Sequence, residues 1–212
     1  MKPFSLVLIL ALLASWPVQA QQCSQARGEK GQFDYYVLSL SWSPGFCSSQ
    51  AGKRDAEQCA PPRRNGFIVH GLWPQYAGGG WPQCCGKVPP LSPSPTLDGA
   101  AKVMPSESLR RHEWAKHGSC VTTRQDEYFE MIGRAASTYG LGPDPAGLSG
   151  QRITLSRLKG FWPNVAPSAM TARCKGSVLS ELRLCLDTKL SPIPCPASAV
   201  NTDSCPGTVT LP

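Results

Sequence analysis

Only three of the 212 residues are histidine, and charged residues make up just 17% of the chain. With so few imidazoles, any that cluster carry information. No two cysteines stand in a CxxC pair, which argues against a structural zinc site. No Asn-x-Ser/Thr sequon occurs, so glycosylation gives no sign of a eukaryotic secretory route. A long Lys/Arg run is also missing, so any basic surface must be assembled by the fold. The stretch from Phe4 to Ala14 is apolar but falls short of the ~20 residues that a membrane-spanning helix needs.

That stretch reads instead as part of a processing signal. Lys2 supplies its charged start, and Val18-Gln19-Ala20 a small-residue cleavage site. Removal of residues 1–20 leaves 21–212, enough for one domain with its own core. All ten cysteines (Cys23, Cys47, Cys59, Cys84, Cys85, Cys120, Cys174, Cys185, Cys195 and Cys205) lie in that portion. An even count behind an export signal implies five disulfides and an oxidising compartment, secreted or periplasmic. The formal charge of +7 suits a polyanionic partner such as nucleic acid, and equally a merely soluble surface.

Along the chain, Phe33 to Trp42 alternates apolar and small polar residues and predicts a strand. Gly66 to Trp73 predicts a second, stopped by Pro74. Between them, Cys47 to Pro62 reads as a surface loop. Tyr76 to Pro105, rich in Gly, Pro and Ser, reads as a long connection, and one of that length is usually functional or stapled down. Helices are predicted over Leu109–His117, ended by Gly118, over Thr123–Tyr139, and over Ile153–Lys159. Tyr128, Phe129, Ile132, Ala135 and Ala136 mark the buried face of the second of these. Ser177 to Leu186 and Thr208 to Leu211 predict two more strands, the first with Val178, Leu182, Leu184 and Leu186 on one side. Strands and helices without βαβ regularity indicate an α+β fold.

The chemistry concentrates in two segments. His112 to Cys120 (HEWAKHGSC) holds two histidines, and FIVHGLWPQ holds the third, His70. On a helical wheel with His112 at zero, Lys116 falls near ~40°, Glu113 near ~100° and His117 near ~140°. One face thus presents two imidazoles, an ammonium and a carboxylate. HEWAKH superficially resembles a zinc-protease motif, but that motif spaces its histidines four apart and here they are five apart. Lys116 between them would also repel a cation, so no metal and no cofactor is expected. Cleavage of RNA through its own 2′-hydroxyl, by contrast, needs a base and an acid near neutrality and a cation for the phosphorane. His70, His117 and Lys116 meet that need if strand and helix touch. Taken singly, each residue has a plainer reading: a hydrogen-bonded structural histidine, a surface Glu–Lys pair, a core tryptophan. Their joint occurrence favours chemistry.

His70-Gly71-Leu72-Trp73-Pro74 resembles the first signature of the ribonuclease T2 family, and His112-Glu113-Trp114-Ala115-Lys116-His117-Gly118-Ser119-Cys120 resembles the second. The resemblance implies an α+β domain with an antiparallel central sheet packed with several helices, and makes 21–212 a catalytic domain. It implies metal-independent cleavage of single-stranded RNA through a 2′,3′-cyclic phosphate. By position, His117 is similar to the general base, His70 to the acid, Lys116 and Glu113 to the pair that stabilises the phosphorane, and His112 to a phosphate-binding residue. Trp73 resembles the platform on which a base stacks. Gln75 stands where several relatives have an acid or Asn, so an acidic residue's base preference does not carry over. Before His112, the aromatic of many relatives is missing, and Arg110 or Arg111 could meet phosphate instead.

The family's pattern further implies Cys47–Cys59, Cys174–Cys205 and Cys185–Cys195, with Cys120 joined to Cys84 or Cys85 and Cys23 to the other. The partner expected is RNA, for a monomer with no stable membrane association once the signal is removed. Two rivals remain at the level of sequence: a catalytically silent RNA-binding protein on the same scaffold, and a metal-dependent phosphodiesterase or nuclease.

Overall fold

The computed structural model describes residues 23, 25–62 and 65–212, so the expected processing signal lies outside the described residues. One sheet of six strands organises the chain: β1 (Tyr35–Trp42), β2 (Phe67–Gln75), β3 (Gln151–Thr154), β4 (Met170–Lys175), β5 (Val178–Leu186) and β6 (Thr208–Leu211). The strand order is β2-β1-β5-β6-β3, with β4 also paired to β5. Every pairing is antiparallel except one contact between β5 and β6, Val178 with Thr210.

β1 lies between β2 and β5, and its alternation explains why. Tyr36, Leu38, Leu40 and Trp42 point into the main core, where Leu182, Leu184 and Leu186 of β5 and the helix Gln125–Tyr139 meet them. That helix buries the five residues expected of it, Tyr128, Phe129, Ile132, Ala135 and Ala136. Tyr128 also donates its hydroxyl to the Leu72 carbonyl at 3.0 Å, tying helix to β2. The opposite face of the sheet carries a small cluster of Tyr35, Val37 and Cys185, with Trp73, Ile193, Cys195 and Ala199 packed against it.

Several boundaries differ from the sequence expectation. β2 runs through Pro74 to Gln75, because it is the outermost strand and tolerates a residue with no N–H. The expected loop Tyr76–Pro105 contains a helix, Pro95–Ala101, capped by the Ser94 hydroxyl accepting from Leu97 N–H at 3.1 Å. The segment Cys47–Pro62 holds the short helix Ala56–Cys59. Ile153 lies within β3 rather than starting a helix, and the helix there is Leu155–Lys159, capped by Thr154. β4 was not expected, since MTARCK has little β-branched or aromatic content. Val178 is 40% exposed while Leu179 is buried, because the pairing with β4 shifts register at Ser180.

All ten cysteines are paired. Cys47–Cys59, Cys174–Cys205 and Cys185–Cys195 form, and the open choice resolves as Cys85–Cys120 with Cys23–Cys84. Cys85–Cys120 closes 35 residues and holds the Tyr76–Pro105 connection against the helix that carries HEWAKH. Replacing both by alanine should cost about 2–4 kcal/mol of unfolding free energy. Urea denaturation would read that loss, and amide exchange should rise first in residues 107–121. An unchanged midpoint would show that this staple carries no stability.

Candidate active site

Two local irregularities build the site. The first lies in β2, where Leu72 pairs with Leu38, Gly71 with Ser39 and Val69 with Leu40, which leaves His70 as an extra residue. Such a β-bulge turns neighbouring side chains to one side. Val69 and Leu72 both stay in the core, so His70 and Gly71 together face the other way.

The second lies in the helix. The expected single helix Leu109–His117 is in fact an α-helix, Glu107–Glu113, followed by a π-helical turn, Trp114–Gly118, and a last α-turn, Ser119–Val121. Ser106 caps its start by accepting from Leu109 N–H, and Gly118 does not end it. Instead, Ser119 N–H reaches back five residues to the Trp114 carbonyl. A π-turn changes the azimuth of everything after it, so the simple wheel does not hold past Glu113. It buries Glu113 and His117 and leaves Lys116 half-buried and His112 exposed. The turn is also tied to the preceding connection: Cys84 N–H donates to the Lys116 carbonyl at 2.8 Å, and the Trp114 indole Nε1 donates to the Pro89 carbonyl at 3.0 Å.

Strand and helix meet at Glu113. Its Oε2 accepts from Trp73 Nε1 at 2.6 Å, and its Oε1 lies 3.7 Å from His70 Nε2. This approach passes directly over Gly71, where a β-carbon would stand 2.0 Å from Glu113 Oε2 and 2.3 Å from Trp73 Nε1. His70, Trp73, Gln75, His112, Glu113, Lys116 and His117 all line one cleft of about 500 Å³. Gln75 turns its amide N–H to the Pro74 carbonyl at 3.0 Å. Arg110 and Arg111 do not join them. Arg110 is buried against the Met104 and Pro105 carbonyls, and Arg111 pairs with Glu107.

The cleft also holds residues that the motifs did not point to. Glu181 and Arg183 rise from β5, Thr171 and Arg173 from β4, and Trp81 stands 38% exposed with Arg27 over its ring. His70 Nδ1 lies 2.8 Å from Glu181 Oε1, and Arg183 donates to Glu181 Oε2 from Nε at 2.9 Å and from Nη2 at 2.6 Å. Arg183 also sits 5.0 Å from the Trp73 ring centre, and the His117 ring lies 5.5 Å away, tilted by 31°. The sequence signal was available. In VLSELRLCL, Glu181 and Arg183 alternate with Leu182 and Leu184, which puts opposite charges two apart on the polar side of a buried strand.

These surroundings push half-buried His70 and buried His117 apart. Burial disfavours a charge on His70, but the hydrogen bond to Glu181 and the charges of Glu113 and Glu181 outweigh it and raise its pKa. Burial lowers His117 well below the usual imidazole range, and Lys116, His112 and His70 lower it further. His112 is lowered too, by partial desolvation at the edge of the cleft and by the charges of Lys116 and His70. Glu113 is raised to about 7, because burial outweighs the help of His70, Trp73 and Lys116. Glu181 goes the other way: burial would raise it, yet the hydrogen bond from His70, the charges of His70 and Arg183 and the hydrogen bond from Arg183 hold it near 2.

Two imidazoles biased to opposite protonation states, with an ammonium and a buried carboxyl in the same cleft, make an acid–base site. The chain belongs to the Ribonuclease T2 family, whose model matches residues 33–195. It is 30% identical over 195 residues to a probable ribonuclease of Haemophilus influenzae, covering 87% of this chain and 69% of that protein. It is 43% identical over 125 residues to a ribonuclease of Aeromonas hydrophila, covering 59% of this chain and 54%, about half, of that longer protein. Among solved structures it is similar to trichomaglin, an S-like ribonuclease, with a TM-score of 0.67 and 25% identity over 85% of this chain and 98% of that one.

Because Gly71 gives the Glu113–Trp73 hydrogen bond its only room, Gly71→Ala should displace both side chains. The expected cost is about 1–3 kcal/mol of stability, with a changed near-ultraviolet tryptophan signal. Wild-type stability and spectrum together would mean that the close approach is not needed.

Proposed function

We propose that the protein is a metal-independent endoribonuclease that cleaves single-stranded RNA by transphosphorylation. The opposite protonation bias of His117 and His70 in one cleft carries this reading. Neutral His117 is free to take the 2′-hydroxyl proton as O2′ attacks phosphorus. Its Nδ1 is buried, which leaves Nε2 for that task. Protonated His70 then gives its Nε2 proton to the departing 5′-oxygen, since Nδ1 is held by Glu181. A 2′,3′-cyclic phosphate and a 5′-hydroxyl result. In hydrolysis the roles exchange, and water opens the ring to a 3′-phosphate.

Lys116 offsets the charge that grows on the phosphorane. A carboxylate there would oppose it, but at about 7 Glu113 can hold a proton at neutral pH and donate to a phosphoryl oxygen. His112, at the open side, meets phosphate. Trp73 and Gln75 receive a base, and the exposed Trp81 widens the aromatic lining at the cleft. Five disulfides suit a secreted or periplasmic protein, acting as a monomer.

Mixed-sequence RNA incubated with the oxidised protein in excess EDTA should acquire cyclic-phosphate or 3′-phosphate ends, while DNA, without the 2′-hydroxyl, resists. His70→Ala and His117→Ala should each lose about 100- to 10,000-fold in rate. Intact RNA with tight binding would point to a silent binder, and cleavage only with metal to a different nuclease.

The pH–rate profile should be a bell. On its acid side activity falls as His117 becomes protonated, below the ordinary imidazole range. On its alkaline side activity falls as His70 loses its proton, which the Glu181 hydrogen bond and the charges of Glu113 and Glu181 shift upward from the ordinary imidazole value. A profile that rises steadily with pH would contradict these assignments.

A further inference from the structure

The reading above accounts for the helix and for β2, but not for the ion pair on β5. Glu181 and His70 stand on strands that do not touch: β1 runs between β2 and β5. Adjacent strands are ~4.8 Å apart, so a side chain crossing β1 must span about twice that. The crossing is open because β1 places serines there. Ser41 pairs with Glu181, Ser39 pairs with Arg183 and with Gly71, and Ser39 is fully buried. Over these short side chains the Glu181 carboxyl reaches His70 at 2.8 Å.

We infer that Glu181, clamped by Arg183, is a positioning residue that orients the His70 ring and holds its proton for the leaving group. The clamp is directional. Arg183 occupies Oε2 with two N–H groups, which leaves Oε1 for His70 Nδ1 and turns His70 Nε2 towards Glu113 and the cleft. A carboxylate that accepts from Nδ1–H fixes the tautomer of an imidazole and raises its basicity. The charges around His70 single out Glu181 for this task. Glu181 and Arg183 face it from β5, Glu113, His112, Lys116 and His117 from the helix side of the cleft, and Asp55 lines a smaller hollow that His70 shares. Of the two carboxyls in contact with His70, Glu113 titrates near 7, so its charge changes in the working range. Glu181 titrates near 2 and stays ionised throughout. It is the fixed negative charge beside the acid.

This inference rests on His70 being the acid, so the test separates the two. In Glu181→Gln the alkaline limb of kcat/KM should move down by about 1–3 pH units, while the acid limb set by His117 stays. Above the displaced limb kcat should fall about 10- to 100-fold, with KM for RNA nearly unchanged. Glu181→Asp should recover part of the alkaline limb, since it keeps the charge. A uniform loss at all pH values, with both limbs in place, would overturn the inference by reducing Glu181 to a structural role. If Glu181→Gln does not fold, the imidazole nitrogen resonances of the wild-type protein decide. Neutral His70 should carry its hydrogen on Nδ1, and a hydrogen on Nε2 overturns the inference. Wild-type protein that leaves RNA intact, yet shows His70 losing proton affinity in Glu181→Gln, would sink the ribonuclease reading and uphold the pairing.

Discussion

A carboxyl group buried against the bare backbone of an edge strand is the contact on which this site depends. Glu113 is 1% exposed and lies where a side chain at position 71 would stand. Without that gap the helix would sit farther from the sheet, and His117 and Lys116 would move away from His70 with it. The β-bulge is the matching half of the arrangement. It turns His70 and Gly71 to the same side, so a single irregularity supplies both an imidazole and the space beside it. Strand pairing and helix packing are therefore set by one local geometry, not by two independent ones.

Burying charge is expensive, and the site meets that cost differently at its two carboxyls. Glu181 is fully compensated: two N–H groups from Arg183 and one ring nitrogen from His70 surround it, and it remains an anion. Glu113 receives one good hydrogen bond, from Trp73, and a longer contact with His70, so its proton affinity rises to about 7. The difference is useful. A permanent anion on the Nδ1 side of His70 favours the charged ring, and a carboxyl able to gain or lose a proton stands on the Nε2 side, where the proposed reaction places the phosphate. His117 has neither kind of neighbour. Its buried Nδ1 has no partner among the described residues, and burial, with Lys116, His112 and His70 nearby, favours the neutral ring.

Much of this was legible in the residues. The two histidine motifs, the alternation of β1 and the amphipathic face from Tyr128 to Ala136 each encode their structure within a few neighbours. What escaped was of two kinds. The π-turn and the bulge at His70 are departures from a period, and a reading that assumes 3.6 or 2 residues per repeat sees only the average. Glu181 lies 111 residues from His70 and reaches it across an intervening strand, so only the sheet order reveals the pair. Arg110 shows the converse: its place in a basic run suggested phosphate, yet burial commits it to the Met104 and Pro105 carbonyls.

The wide turn in the helix also explains why so irregular a connection precedes it. A π-turn gives up regular i to i−4 pairing, and groups so released must be satisfied elsewhere. The Tyr76–Pro105 segment satisfies one such group, with Cys84 N–H donating to the Lys116 carbonyl, and its backbone also meets side chains of the same helix: Cys85 N–H donates to the Ser119 hydroxyl at 3.2 Å, and the Pro89 carbonyl accepts from Trp114 Nε1. Val88, Leu91, Leu97, Ala100, Val103 and Met104 anchor its later part on the core. Cys85–Cys120 and Cys23–Cys84 fasten its earlier part at adjacent residues, one to the helix that carries HEWAKH and one to Cys23. The placement of Lys116 and His117 thus depends on a covalent clasp that forms only under oxidising conditions, which couples the geometry of the site to the compartment in which the protein folds.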